Sequence, residues 1–306
     1  MRSTPIFLPY AGAYDWAAAL RFFAARAVDA VEQVDGELYR RTIRVGEACG
    51  VVEVSHEVSK HALRATLLFT AVVDDQKVTA RLRRMFDLDA DLVSINSHLA
   101  TEHLMSRLVA ARPALRVFGG WDPFEVAMRT INGQQVSVER ARHLNGVLVA
   151  RCGVQSGATG SLHSVFPTPS EVLEADLAGM GMPGARVAAL KTMADAAVSD
   201  LRLFSPGDSL DVTLGRLRAI KGIGEWTAHY IAMRACRQPD AFPASDVGLL
   251  RGAASEDGVR PTAAALLARA EAWRPWRAYA AHHLWNVDSA ASSGVRTQVD
   301  TATVGA

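Results

Sequence analysis

Along the first third of the chain the apolar positions change period. Between residues 15 and 34 they recur at Trp16, Leu20, Phe23 and Ala27, the spacing of one helix face, which predicts a helix from about Asp15 to Val34. From Tyr39 the period drops to two. Tyr39, Arg41, Ile43 and Val45 share one parity, a glycine turn leads into a second β-branched run, and Leu63, Ala65, Leu67 and Phe69 alternate again. Antiparallel strands with helices packed on one side follow, an α+β arrangement for residues 1–115.

The segment "ARPALRVFGGWDP", with two prolines around a glycine pair, marks a seam. Beyond it, over 116–288, the periods are helical. Asp122-Pro123 opens a helix with an aspartate cap and proline in the first turn. "VFPTPSEVLEAD" is a proline-rich connection into another helix, and "GMGMPGARVAAL" places a glycine turn before a further one. Residues 289–306 are small and polar, the composition of a disordered tail. The fold class is therefore mainly α, preceded by a small antiparallel-sheet domain.

Charge changes this picture only locally. The net value of +1 announces no bulk field for nucleic acid. Between residues 201 and 238, however, Arg202, Arg216, Arg218, Lys221, Arg234 and Arg237 outnumber Asp208, Asp211 and Glu225. Cys49, Cys152 and Cys236 are too few for a four-cysteine metal site and do not form a secreted disulfide pattern. His282 and His283 are adjacent and point apart, so no catalytic metal is expected. No secretory leader or membrane-length apolar run is visible, which gives a cytoplasmic protein without membrane partners as the expectation.

The basic stretch contains "LRAIKGIGEWTAHYIAMR", Leu217 to Arg234. Gly222 and Gly224 allow a tight turn, and the helix after them directs free N–H groups and a positive dipole end outward, a seat for phosphate. Trp226 and Tyr230 share one face of that helix. Asp246 follows in "FPASDVGLLR", where an aspartate also serves as a helix cap, and "WRPWRAYAAHHLW" adds Trp285 to a run of rings. Each part has an ordinary structural use as turn, cap or core ring. Together they suit an enzyme that grips the DNA backbone, takes a base out of the stack and faces a carboxylate to the sugar.

These residues resemble the helix-hairpin-helix signature of DNA glycosylases. With "WDPFEVAMRTINGQQVSVERA", "FPTPSEV", "GMPGARVAAL" and "AYDWAAALRFFAARAV", the chain from 8 to 287 is similar to the 3-methyladenine DNA glycosylase II (AlkA) family. The resemblance implies a monofunctional enzyme that excises alkylated bases, 3-methyladenine and 7-methylguanine among them, from double-stranded DNA. By it Asp246 is the catalytic carboxylate, and Trp226, Tyr230, Trp285 and Phe22 line the base pocket. Lys221, Gly222, Ile223, Gly224 and Thr227 belong to the phosphate-gripping hairpin, and Gln134 and Gln135 probe the minor groove. It implies no cofactor, leaves room for a structural monovalent cation at the carbonyls of Arg218, Ile220 and Ile223, and suggests a monomer. Electron-rich rings would favour a cationic base by about 0.5–2 kcal/mol. The chain departs from relatives at Gln135, where an apolar wedge can occur, at Ser245 and Val247 beside the aspartate, and at Lys221, often proline. Two alternatives stay open: a non-catalytic module for damaged or bent DNA, and a glycosylase/lyase, which needs a lysine where Trp226 stands.

Overall fold

The computed structural model describes residues 5–157 and 160–287; the tail expected at 289–306 lies outside the described residues. Five strands, β1 (Ile6–Pro9), β2 (Glu32–Asp35), β3 (Leu38–Val45), β4 (Ala48–Glu57) and β5 (Ala62–Phe69), form one sheet in the order β1-β5-β4-β3-β2. All neighbours are antiparallel. The alternation read from the sequence is the burial pattern: Tyr39, Ile43, Leu63, Ala65, Leu67 and Phe69 are buried. They pack against Trp16, Leu20 and Phe23 of α1 (Trp16–Ala24) and Val78, Leu82 and Met85 of α2 (Asp75–Met85).

The first helix is shorter than its apolar period predicts. It ends at Ala24, and the chain then turns so that Val28 and Val31 are buried in a second core. Glu32 to Asp35 become β2, paired with β3 across Gly36 and Glu37, with Gly36 at φ 56°. Asp-Gly ahead of an alternating run is a hairpin signal, and here it overrides a helical spacing that continued by accident.

The second core is helical. It gathers α3 (Leu92–Leu99), α4 (His103–Ala111), α5 (Pro123–Asn132), α6 (Val138–Cys152), α7 (Pro169–Glu174), α8 (Gly184–Ser199), α9 (Leu210–Arg218), α10 (Glu225–Arg234), α11 (Val247–Gly252), α12 (Ala263–Ala270) and a last helix, α13, over 277–287. Asp122 caps α5 ahead of Pro123, and Thr168 and Glu171 form a reciprocal capping box on α7. The seam joins both cores, since Val117 packs in the helical one and Phe118 and Trp121 against the sheet.

Four charged side chains tie sheet to helices. Arg41 of β3 lies 2.7 Å from Glu125 of α5 and 3.6 Å from Glu32 of β2. Arg129 closes the ring, pairing with Glu32 and lying 3.1 Å from Glu125. Burial opposes the charge on Glu32, yet Arg129 and Arg41 hold its carboxyl below the usual range. Such a buried quartet need not raise net stability, but removing one member leaves an uncompensated charge. Arg41 thus faces the interior as its parity predicts, without being apolar.

Candidate active site

Between α9 and α10 the chain makes the turn that the glycines foretold. Gly222 has φ 94°, and a Cβ there would meet the Ala189 Cβ at 2.6 Å, so both backbone angle and packing against α8 require glycine. Gly224 differs. It is the N-cap of α10 in an extended conformation (φ −82°, ψ 176°), and a Cβ would meet open space. Among the described residues no acceptor faces the N–H of Gly224, Glu225 or Trp226. These groups and the helix dipole point toward solvent at an exposed turn. Glu225, an acid beside this seat, is held by Arg218 at 2.9 Å and His229 at 3.1 Å. The Ile220 carbonyl accepts the Ile223 N–H at 3.1 Å, while the carbonyls of Arg218 and Ile223 receive no backbone donor among the described residues.

Asp246 is held by three N–H donors. Its Oδ1 accepts the Leu249 amide at 3.0 Å, which caps α11, and the indole N–H of Trp285 at 2.8 Å. Its Oδ2 accepts the indole N–H of Trp226 at 2.7 Å. The side chain therefore joins the start of α11, α10 and α13. Each carboxylate oxygen offers about two lone-pair sites, so Oδ1 is filled and Oδ2 keeps one. The capping role and the tryptophan clamp coexist in one residue.

Trp226 stacks on Tyr230, with centroids 5.2 Å apart and planes at 20°, and Tyr230 meets Trp285 at 6.0 Å. Phe22 of α1 faces the same cleft, a cavity of about 270 Å³ whose walls include Phe22, Trp226 and Tyr230. That volume is close to the lower end of small-ligand sites, ~300 Å³. Asp246 and Trp285 do not line it; they connect to it through Trp226 and Tyr230.

Known proteins of similar sequence and fold give this geometry its relatives. The model of the AlkA N-terminal domain matches residues 5–122, and that of the HhH-GPD superfamily base excision DNA repair protein matches 128–278. Over 276 residues the chain is 36% identical to DNA-3-methyladenine glycosylase 2 of Escherichia coli, covering 89% of this chain and 93% of that one. The chain belongs to the AlkA family of helix-hairpin-helix DNA glycosylases. It is 34% identical to a probable bifunctional transcriptional activator/DNA repair enzyme AlkA of Mycobacterium tuberculosis, over 91% of this chain but only 56% of that protein. In fold it is similar to the 3-methyladenine DNA-glycosylase of Archaeoglobus fulgidus, with TM-score 0.78, 20% identity, and coverage of 94% of this chain and 98% of that one.

The remaining positions singled out from the AlkA resemblance divide into held and free. The Gln134 amide donates to the Gly222 carbonyl at 3.2 Å and to the Thr227 hydroxyl at 3.0 Å, and Arg186 donates to the Gln134 carbonyl at 2.6 Å. Gln135, next in the α5–α6 turn, is exposed in the left-handed region at φ 55°. Ile223 and Thr227 are buried, whereas Lys221 is exposed. The sequence reading missed the partners of the rings. Arg26 lies 4.2 Å from the Phe22 centroid, and Arg234 lies 4.8 Å from Phe22, 4.9 Å from Tyr230 and 5.9 Å from Trp285. Arg26 stands four residues after Phe22 and Arg234 four after Tyr230, a helical spacing that could have paired each with its ring.

Proposed function

We propose that this chain is a monofunctional DNA glycosylase that excises alkylated bases, with 3-methyladenine and 7-methylguanine as representative substrates. The observation that carries the reading is Asp246 fixed between the indoles of Trp226 and Trp285, on the helix that follows the hairpin. The exposed N–H groups of the turn would hold a backbone phosphate, and Gln135 at its turn tip would enter the minor groove opposite the extruded base. Phe22, Trp226 and Tyr230, which line the cavity, would take the flipped base, with Trp285 backing Tyr230, and so offset the few kcal/mol that unstacking costs.

As the bond between the sugar C1′ and the base nitrogen breaks, positive charge grows on the sugar and the electron pair leaves with the base. A carboxylate ~4 Å away at an effective dielectric near 20 stabilises that charge by about 4 kcal/mol, on the order of a thousandfold in rate. Because its oxygens are already held, Asp246 needs no reorganisation to do this. Water then adds to C1′ and releases a proton to solvent. A base alkylated at N3 or N7 is cationic and leaves readily, so little acid catalysis is required.

A lyase needs an amine at the reacting carbon. Among the described residues no lysine lines the cavity, and Lys221 is out on the hairpin. The protein would act as a monomer on cytoplasmic DNA, with a monovalent cation at the hairpin carbonyls as its sole added ion. Among the described residues no helix is long and apolar enough to cross a membrane. The deciding experiment is incubation with methylated duplex DNA and chromatography of the released bases. Release of free 3-methyladenine and 7-methylguanine, with no borohydride-trapped adduct, is expected; binding without release would make the protein a non-catalytic module.

A further inference from the structure

The two guanidinium groups on the pocket rings are the feature that base flipping alone does not explain. Arg234 is 6% exposed, and neither it nor Arg26 forms an ion pair with a carboxylate among the described residues. Arg234 donates to the Phe118 carbonyl at 2.7 Å, and its Nε has no acceptor among the described residues. Arg26 donates to the Phe22 carbonyl at 3.2 Å. Both line the cavity, whose walls carry five arginines, Arg26, Arg41, Arg129, Arg142 and Arg234, against two glutamates, Glu32 and Glu125. The quartet described above balances Arg41 and Arg129 with those two glutamates. Arg142 is exposed and free to meet phosphate. Arg26 and Arg234 are left without a carboxylate partner, set over ring faces and beside the Tyr230 hydroxyl.

Resting on the glycosylase reading, we propose that Arg26 and Arg234 determine base preference in this pocket, favouring neutral bases with carbonyl or ring-nitrogen acceptors over cationic ones. A ring whose face already attracts a guanidinium has less to offer a second cation. A cationic base in the same cavity also meets the like charge of both arginines. A neutral base with an acceptor edge gains a charge-assisted donor instead. The phenol of Tyr230 registers the same field. Burial resists its ionisation, yet the charges of Arg234 and Arg26 bring it below the ordinary tyrosine value. Excision of cationic lesions here then draws on their ease of departure and not on affinity of the rings for charge.

The test uses the full chain with Arg26→Met and Arg26→Lys. Single-turnover excision is measured on duplexes carrying 7-methylguanine or hypoxanthine, with melting temperature recorded for each variant. Arg26 is half-buried and bonds one carbonyl, so Met should fold. The expected result is that Arg26→Met raises the 7-methylguanine to hypoxanthine rate ratio about tenfold, from like charges at roughly 8 Å in a partly screened site. Arg26→Lys keeps the charge and should hold the ratio near the wild-type value. Equal changes on both substrates, or the same ratio change with Lys as with Met, would overturn the proposal. Wild-type protein releasing neither base would instead sink the glycosylase reading on which it rests.

Discussion

Asparagine at position 246 is a sharper perturbation than its size suggests. In its best orientation the carboxamide oxygen keeps the Leu249 amide and the Trp285 indole, now 3.0 and 2.8 Å from Oδ1. The NH₂ group must then face the Trp226 indole N–H, which is 2.7 Å from Oδ2. A charge-assisted bond is replaced by two opposed donors, at a cost of about 1.5–3 kcal/mol. At roughly 2–4 °C per kcal/mol in a protein of this class, the melting temperature should fall by several degrees. Excision should fall about a thousandfold, the rate equivalent of ~4 kcal/mol of lost charge stabilisation. The two effects can be separated. Trp226→Phe removes the facing donor, so Asp246→Asn should destabilise that background less than the wild type, with a coupling of about 1–2 kcal/mol. Single-turnover excision in Asp246→Asn/Trp226→Phe should stay far below that of Trp226→Phe alone. If the double variant instead excises like Trp226→Phe once its stability returns, the asparagine defect was one of folding and Asp246 is not part of the chemistry.

The hairpin glycines should behave oppositely. Gly222→Ala is expected to cost about 1–3 kcal/mol through its left-handed φ and contact with Ala189, seen as a lower melting temperature. Gly224→Val should melt within about 0.5 kcal/mol of wild type yet bind all DNA sequences more weakly, because it crowds the phosphate seat and not the fold. Glu125→Gln should lose about 3–5 kcal/mol in denaturant titration by leaving Arg41 and Arg129 undercompensated. His283 gives a pH signature: burial, then the charge of Arg112, lower its pKa from 6.5 to about 4. Protonation is therefore favoured in the unfolded chain, and stability present above pH 6.5 is lost as pH falls toward 4. The loss approaches about 3 kcal/mol at the acid end, and His283→Phe should flatten it in chemical denaturation across that range.

Most of the architecture was legible because its signals are local. Alternation at Leu63 to Phe69 needs only a buried face, and Asp122-Pro123 and Thr168-Pro169 announce helix starts by cap chemistry. The first helix was overextended because Ala27 continues the period of Trp16, Leu20 and Phe23, which the Asp35-Gly36 hairpin ends from outside the window. In the site, the resemblance singled out Asp246, Trp226 and Trp285 as residue types, but their mutual hydrogen bonds join segments 20 and 39 residues apart. No period encodes such a contact. Arg234 counted only toward the local basic surplus and Arg26 drew no notice; only the folded cleft turns them onto rings. Arg41 had the parity of a core residue and the chemistry of a surface one; its partner Glu125 lies 84 residues away.

The bond from the Gln134 amide to the Gly222 carbonyl has a metric consequence. It couples the α5–α6 turn to the hairpin, so on the function proposed above exposed Gln135 and the free N–H groups from Gly224 onward would act as the two jaws of a calliper with a set gap. A calliper measures along the strand without reading it. Whatever base is extruded, the gripped phosphate should lie a constant number of nucleotides away. A single methylphosphonate walked along the duplex should therefore weaken binding at the same offset for every lesion. Gln134→Ala, which frees one jaw from the other, should blur that offset over neighbouring positions.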